Sequence, residues 1–262
     1  MQTPEPLIEI VEYNKSYVTR DDVAKVFFEN YKDQPNLQTF KGLYISFKFK
    51  HGNLAPIILL FSTFVLSFVF YLILSQFVVI QNLKTLILLS LGPSLALHWL
   101  FGRYAIHKSY TGYVNYGEGM LERFVSIEEQ HQKPGGNFWL VLVYDPITKT
   151  KSIAGHLGMV AVDKGVLGDK FPIGRKPKVA HLEMMGITAP YRKLGLGKKL
   201  VERAIDFAKE NNFDYMDLSV MGVNIPAINL YKKFGFKLVG AFEVSKLTGL
   251  TVDQMALILN EN

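Results

Sequence analysis

The sequence predicts an α+β fold that is interrupted after its first helix by a transmembrane helical hairpin. Three observations lead to this prediction. Strand and helix patterns alternate along most of the 262 residues, two long apolar runs lie close together, and a basic loop with two glycines joins a strand pattern to a long helix pattern. We therefore expect three regions, which are an N-terminal strand–helix unit at 1–40, a membrane insertion at 41–103 and a main domain at 104–262.

The composition excludes several classes of protein. The chain has no cysteine, which rules out disulfides, thiolate catalysis and cysteine-based zinc sites. The formal net charge of +6 is a moderate basic bias, which fits a phosphate-bearing ligand or an anionic membrane surface. Zinc-finger spacings and a recognition helix rich in Lys and Arg are both missing, so we expect no nucleic-acid partner. No helix pattern spaces His, Asp and Glu as metal ligands, so we expect no metal.

The N-terminal unit combines one strand with one helix. Residues 7–13 alternate apolar and polar side chains, which is typical of a strand. A helix pattern follows, with Thr19 as its N-cap and with Asp21 and Asp22 in its first turn. Pro35 bounds this helix, so the unit ends before the apolar region begins.

Two apolar runs predict the membrane insertion. The run at 54–80 contains about 27 residues without a charge, and a helix needs roughly 20 to cross a bilayer core. Because the run is apolar on every face, a long buried helix is the weaker alternative. The run at 85–101 has about 17 residues and contains Gly92-Pro93, so it either crosses the bilayer or dips in and returns.

The charges around these runs predict their orientation. Positive residues concentrate outside the pair, whereas the linker between the runs contains only Lys84. By the positive-inside rule, both flanks face the cytosol or its equivalent, and the two runs form a hairpin. We therefore expect an integral membrane protein whose main domain lies on that side, in the endoplasmic reticulum, the Golgi or the inner mitochondrial membrane. The flanking positive residues are Lys41, Lys48, Lys50, Arg103 and Lys108.

The main domain alternates strands and helices. Apolar alternation, turn residues and helical spacing predict six strands, three helices and a loop rich in Gly, Lys and Pro at 163–178. The helices are expected at 120–130, 194–211 and 225–234, and the strands at 138–144, 152–162, 179–188, 215–220, 236–242 and 254–259.

The stretch 181–200 has the properties of an anion site. A strand leads into a basic loop that opens a helix, and the first backbone N–H groups of a helix have no partner within it. Gly195 and Gly197 have no side chain that would block an oxyanion. Arg192, Lys193, Lys198 and Lys199 add positive charge, so a diphosphate fits this loop. The alternative is an ordinary strand–helix turn with a solvated run of charges.

Two motifs resemble those of the GCN5-related N-acetyltransferase (GNAT) superfamily. Residues 192–197 match the pattern [QR]-x-x-G-x-[GA], and residues 224–236 match N-x-x-A-x-x-L-Y-x-x-x-G-F. The position of the apolar insertion, after the first helix, resembles the camello-like branch of membrane-anchored N-acetyltransferases. The resemblance implies the mixed-sheet GNAT fold and acetyl-CoA as co-substrate.

The resemblance also implies the residues that bind the coenzyme. In the superfamily, backbone amides of the glycine-containing loop bind the diphosphate of acetyl-CoA. Ile187 and Asn224 match the positions that contact the pantetheine arm, although asparagine also favours such a turn for conformational reasons. The implied coenzyme contacts are Ile187, Arg192, Lys193, Gly195, Leu196, Gly197, Lys198 and Asn224.

Three residues are candidates for catalysis. His181 and Glu183 lie two apart on one strand and therefore share a face. In superfamily members that use a side-chain base, these strand positions often supply it, so either residue is a candidate base, directly or through water. The alternative is that they make structural hydrogen bonds. Tyr231 matches the position of the tyrosine that protonates the coenzyme thiolate, or it is a core aromatic residue. We expect His156 to be structural.

These expectations combine into one function and one alternative. The chain is expected to be a membrane-anchored N-acetyltransferase that transfers acetyl from acetyl-CoA to a primary amine by direct attack. The acceptor is a small amine, an amino acid or its conjugate, or a protein lysine. Its partners are then the lipid bilayer, acetyl-CoA and the amine. The alternative is a structural subunit of a membrane protein complex that has kept the fold but lost the chemistry.

Overall fold

The computed structural model describes residues 6–16, 18–32, 55–77, 83–121, 126–168, 171, 175–245 and 250–259. The chain divides into two compact units. The first contains Met1–Gln34, Tyr113–Phe242 and Val252–Asn262, and the second contains Pro35–Gly112 and Glu243–Thr251. All candidate site residues lie in the first unit.

A mixed sheet forms the framework of the fold. Within the described residues it has seven strands in the order β1-β2-β3-β4-β5-β7-β6. Neighbouring strands from β1 to β4 are antiparallel, β4 and β5 are parallel, and β5 and β7 are antiparallel. The strands are β1 (Leu7–Glu12), β2 (Asn137–Tyr144), β3 (Lys151–Val162), β4 (Val179–Ile187), β5 (Tyr215–Met221), β6 (Lys237–Ser245) and β7 (Leu250–Ile258). The mixed-sheet prediction is confirmed, although the last strand begins four residues earlier than the sequence predicted.

Helices cover both faces of this sheet. On one face lie α4 (Leu196–Glu210) and α5 (Ile225–Lys233), and α1 (Arg20–Lys32) packs on the other. The apolar positions of α4 fall on one side and are buried, as their spacing predicts. Strand β2 is buried along almost its whole length, because alternate side chains enter the cores on the two faces.

The first unit also contains a capped helix start and two short helical turns. The hydroxyl of Thr19 accepts a hydrogen bond from the backbone N–H of Asp22 at 3.2 Å, so the predicted N-cap of α1 is confirmed. A π-helical turn occupies Glu128–Gln132, and a 3-10 turn occupies Ala189–Tyr191. Of the helix predicted at 120–130, the first residues belong to the preceding helix, which ends at Leu121, the last residues belong to the π-helical turn, and residues 122–125 lie outside the described residues.

The second unit contains two helices, α2 (Ala55–Phe77) and the N-terminal part of α3 (Leu83–Leu121). Polar side chains join them. The hydroxyl of Ser62 lies 3.1 Å from Nε2 of His98, and the hydroxyl of Ser67 donates to that of Ser94 at 3.1 Å. Pro93 lies inside α3, so Gly92-Pro93 does not end the helix as the sequence suggested, and α3 continues well beyond residue 101.

Among the residues described by the structure, none of the helices has the length and apolar character that would carry it across a membrane. The predicted transmembrane hairpin is therefore not confirmed.

Candidate active site

The central feature of the site is the divergence of β4 from β5. The two parallel strands are paired only from Val179 with Tyr215 to Leu182 with Leu218. β4 then continues to Ile187, so residues 183–187 lie beyond the last pair with β5. The backbone edge of residues 184–187 is therefore not paired with β5, and an extended ligand could add to it as a strand does.

A bulge in β4 turns its side chains at the same point. Gly158 lies opposite Glu183 and His156 lies opposite Gly186, so β4 has one residue more than β3 in this stretch. Met184 carries the irregularity, with φ of 54°, in the left-handed region. The bulge therefore lets Glu183 and Met184 contact side chains on the same face, although they are adjacent in sequence.

His156 stabilises this bulge, as its predicted structural role implies. Its Nδ1–H donates to the carbonyl of Met184, and its Nε2 accepts from Nδ2 of Asn30 at 3.5 Å. Burial lowers the pKa of His156 to about 4, so the ring is neutral near pH 7. A neutral ring with one donor and one acceptor nitrogen matches both of its partners.

His181 is bonded to a carboxylate on the neighbouring strand. His181 and Asp217 are direct partners in the β4–β5 register, and Nδ1 of the imidazole lies 2.6 Å from Oδ1 of Asp217. Asp217 is fully buried, whereas the side chain of His181 is 28% exposed. The other carboxylate oxygen, Oδ2, accepts the backbone N–H of Val166 at 2.6 Å. The sequence analysis did not identify Asp217, whose only local signal was its position inside a predicted strand.

Glu183 is bonded to a histidine that the sequence analysis also missed. Nε2 of His131, in the π-helical turn, lies 3.1 Å from Oε1 of Glu183. The side chain of His131 is fully buried and that of Glu183 is 9% exposed. His131 and Glu183 are 52 residues apart, so no local pattern connects them. His181 and Glu183 thus share a face as predicted, but each has its own partner.

Tyr231 lies in the core on the face covered by α4 and α5. Its hydroxyl donates to Sδ of Met185 at 3.2 Å, and its ring packs edge-on against Phe236. Burial raises the pKa of Tyr231 far above its usual value. The hydroxyl therefore keeps its proton at neutral pH and acts as a donor.

The glycine loop, residues 192–197, opens α4 as predicted. Lys193 and Gly195 have φ of 66° and 76°, so the loop turns through two residues in the left-handed region. The first helical bond runs from the N–H of Lys199 to the carbonyl of Gly195 at 3.1 Å. The N–H groups of residues 196–198 precede that bond, and they form the cluster of donors that an anion at a helix N-terminus requires.

Side chains around the glycine loop favour contact through its backbone. Leu196 is buried in the core, and Lys198 is exposed and paired with Glu202 at 3.3 Å. Nε of Arg192 donates to the carbonyl of Ile187 at 2.9 Å, which joins the loop to the end of β4. A Cβ on Gly197 would lie 3.2 Å from Cε of Met185, so a side chain there would crowd the end of β4. This arrangement fits the diphosphate and pantetheine arm of acetyl-CoA.

Asn224 caps α5. Its side-chain oxygen accepts the backbone N–H of Ala227 at 3.3 Å, which is the conformational role that asparagine favours at such a turn. Its predicted contact with the pantetheine arm stays a prediction. Within the described part of the chain, no cluster of three or more His, Cys, Asp or Glu side chains could hold a metal ion.

Two aspartates anchor the 163–178 loop. Besides the bond from Val166 to Asp217, the backbone N–H of Lys178 donates to Oδ2 of Asp214 at 2.7 Å, and Arg175 binds both oxygens of Asp214. Burial acts to raise the pKa of Asp214, but these donors outweigh it and hold that pKa below its usual value. The two ends of the loop are thus fixed on β5 and on the residue before it.

Comparison with known proteins identifies relatives for part of the chain. An uncharacterised N-acetyltransferase of Dictyostelium discoideum is 42% identical over 59 residues, which are 22% of this chain and 27% of that protein. The N-acetylaspartate synthetase of Xenopus tropicalis is 26% identical over 140 residues, which are 53% of this chain and 45% of that protein. The chain therefore spans less than half the length of each relative.

Solved structures of other proteins are similar to this chain at lower sequence identity. The crystal structure of NAA60 from Arabidopsis thaliana, in complex with acetyl-CoA, is 19% identical with a TM-score of 0.44 and covers 54% of this chain and 84% of that chain. The model of the acetyltransferase (GNAT) family matches residues 100–236. The family match confirms the predicted superfamily. Because that match covers more than half of the sequence and includes β4, the glycine loop and α5, we conclude that the chain belongs to the acetyltransferase (GNAT) family.

Proposed function

We propose that the protein is a membrane-anchored N-acetyltransferase of the camello-like branch, which transfers acetyl from acetyl-CoA to a primary amine. The observation that carries the proposal is the juxtaposition of two open backbone features. The N–H groups at the start of α4 fit a diphosphate, and residues 184–187 of β4, which lie beyond the last pair with β5, offer their backbone edge to the arm that follows it. Arg192 joins the two through the carbonyl of Ile187.

The chemistry requires a base and an acid on the protein. Acetyl-CoA supplies an acetyl thioester, from which the amine nitrogen takes the acetyl carbon as the carbon–sulfur bond breaks. An ordinary amine, with a pKa near 10, must first lose a proton. His181 or Glu183 accepts that proton, directly or through a water molecule. Both lie on the face of β4 opposite the side chain of Tyr231, which is the candidate acid.

Tyr231 is the candidate acid. A departing thiolate needs a proton, and the buried hydroxyl of Tyr231 holds one at neutral pH. That hydroxyl now donates to the sulfur of Met185, a weak acceptor that a thiolate would readily replace. The position of Met185 at the open end of β4 supports a role for Tyr231 close to the reacting sulfur.

Membrane anchoring rests on the sequence of the apolar runs. The α2 segment alone is 23 residues without a charge, and Ser and His side chains bond it to α3 rather than leaving their polar atoms unpaired. An anchor that keeps the main domain on the cytosolic side of a membrane, or on its equivalent, would concentrate the enzyme near a membrane-associated amine. Alkaline extraction of cell membranes tests this point, because an integral protein stays with the membrane and a peripheral one is released.

Acetyl-CoA turnover by detergent-solubilised protein tests the activity. The acceptor panel should contain small amines, lysine peptides and free amino acids, with aspartate among the first because one relative is named N-acetylaspartate synthetase. Thiol release that depends on the acceptor and disappears in Gly195→Glu would support the proposal. Absence of turnover across the panel, with no coenzyme retained on purification, would instead favour a structural subunit of a membrane complex.

A further inference from the structure

The side chains of β4 and β5 place a carboxylate beside one of the two candidate bases. His181 and Asp217 are in register on adjacent parallel strands, so their side chains emerge side by side on one face of the sheet. The 2.6 Å contact between Nδ1 and Oδ1 is a short, charge-assisted bond. His181 and Asp217 are the last register pair but one before β4 and β5 diverge, so His181 lies close to the segment of β4 that is not paired with β5.

Both oxygens of Asp217 have a defined partner. Oδ1 accepts from His181, and Oδ2 accepts from the backbone N–H of Val166. The carboxylate is fully buried, and neither of these donors is a permanent cation. A buried anion of this kind favours a positive charge on the imidazole that it contacts. Asp217 would therefore stabilise His181 after it has taken a proton.

The loop at 163–168 holds this carboxylate in place, and Gly165 makes the close approach possible. A Cβ on Gly165 would lie 2.4 Å from Oδ2 of Asp217 and 2.3 Å from Oη of Tyr215. Any side chain at that position would push the loop away from β5. The N–H of Val166 would then lose Oδ2, and the carboxylate would be free to rotate away from His181.

The carboxylate also sets the tautomer of the ring. Because Asp217 can only accept, Nδ1 of His181 carries the hydrogen and Nε2 carries the lone pair. The side chain of His181 is 28% exposed, so solvent reaches part of the ring. Glu183 differs, because its carboxylate is 9% exposed and already accepts from His131.

We propose that Asp217 is a positioning residue that makes His181, and not Glu183, the base of the reaction, and that the 163–168 loop holds Asp217 in place through Val166. This inference rests on the proposed function for the reaction itself. The hydrogen-bonded chain from Val166 through Asp217 to His181 is independent of it.

Several other ionisable groups lie on the elements around His181. From β5 the hydroxyl of Tyr215 lies near Gly165, and its pKa is raised by burial and by the charge of Asp217. From β4, Glu183 is held by His131. From the loop, Asp163 is exposed and paired with Lys176 at 2.9 Å, and β3 places the apolar Val160 opposite His181.

Asp217→Asn is the decisive variant, because it keeps the size of the side chain and removes its charge. We expect kcat/KM to fall about 10²-fold. Asp214→Asn is the matched control, because Asp214 also accepts a backbone N–H from the loop but does not contact His181. It should leave kcat/KM nearly unchanged. Gly165→Ala should also lower kcat/KM, but less than Asp217→Asn does.

A second measurement does not depend on turnover. NMR of the His181 imidazole should show the Nδ1–H tautomer in wild type and a smaller share of it in Asp217→Asn, because the amide has one acceptor oxygen for two donors. Melting temperatures verify that each variant is folded. An unchanged tautomer in folded Asp217→Asn, or a larger loss of kcat/KM in Glu183→Gln than in His181→Gln, would overturn the inference. If wild type acetylates no acceptor, the proposed function fails, and the tautomer measurement still decides the link between Asp217 and His181.

Discussion

Nε2 of His131 lies 3.1 Å from Oε1 of Glu183, and the two side chains are 0% and 9% exposed. Gly158 admits this contact, because a Cβ there would lie 2.8 Å from Nε2 of His131. The ring of His131 also packs edge-on against Phe138. The pair therefore joins the π-helical turn to β4 through the core, and its removal should affect stability as well as chemistry.

We expect His131→Ala to destabilise the first unit by about 3 kcal/mol, because the substitution leaves a nearly buried carboxylate without its donor and creates a cavity. Chemical denaturation of wild type and variant measures the difference. The control is Lys133→Ala in the same region, which removes an exposed ion pair with Glu129 and should change the free energy of unfolding by less than about 0.5 kcal/mol. Equal losses in the two variants would contradict the structural role of His131.

Tyr231→Phe should lower kcat about 10²-fold while leaving the affinity for acetyl-CoA nearly unchanged, because only the proton donor is lost. Steady-state kinetics and coenzyme binding by calorimetry separate the two quantities. Met185→Leu removes the sulfur that now accepts from Tyr231 and should keep most of the activity. Full activity in Tyr231→Phe would mean that the tyrosine is a core aromatic residue and that the thiolate takes its proton elsewhere.

Acid should weaken the fold through His156. Its pKa is about 4 in the folded protein and 6.5 without burial, so the unfolded chain binds a proton that the folded chain excludes between those values. The stabilisation is complete above pH 6.5 and is lost as the pH falls towards 4. The loss is at most about 3.5 kcal/mol, since the pKa values differ by about 2.5 and each unit corresponds to about 1.4 kcal/mol.

The comparison with His156→Gln isolates this effect. Glutamine can still donate to the carbonyl of Met184 but does not titrate, so wild type should lose more stability than the variant between pH 6.5 and 4. Denaturation curves at several pH values provide the measurement. Parallel pH dependence in the two proteins would show that His156 does not carry the acid sensitivity.

The left-handed conformation of Gly195 gives a test of the glycine loop. Asparagine tolerates this conformation, and the space around the position is open, so Gly195→Asn should bind coenzyme A within about threefold of wild type. Gly195→Glu adds a negative charge beside the proposed diphosphate and should weaken binding roughly 10²-fold. Calorimetric titration with coenzyme A distinguishes the two. Similar affinities for both variants would place the diphosphate elsewhere.

Local patterns predicted most of the elements of the main domain. Apolar periodicity in α4 and alternation in β4 gave their bounds to within a few residues, because each depends on one buried face. The glycine loop was also predictable, because a strand, two glycines and a helix follow one another in the chain. The π-helical turn was not predictable, because its residue His131 packs between Phe138 and Glu183, and Glu183 lies 52 residues away in the chain.

The sequence by itself determined the order of the elements, the position of the glycine loop and the family resemblance, because all of these depend on residues that are neighbours in the chain. Only the tertiary structure decided the partners of the candidate bases. His181 meets Asp217 across 36 residues and Glu183 meets His131 across 52, as the strand register and one bulge at Met184 dictate. Register and bulges arise from pairing between distant segments, so no local pattern contains them.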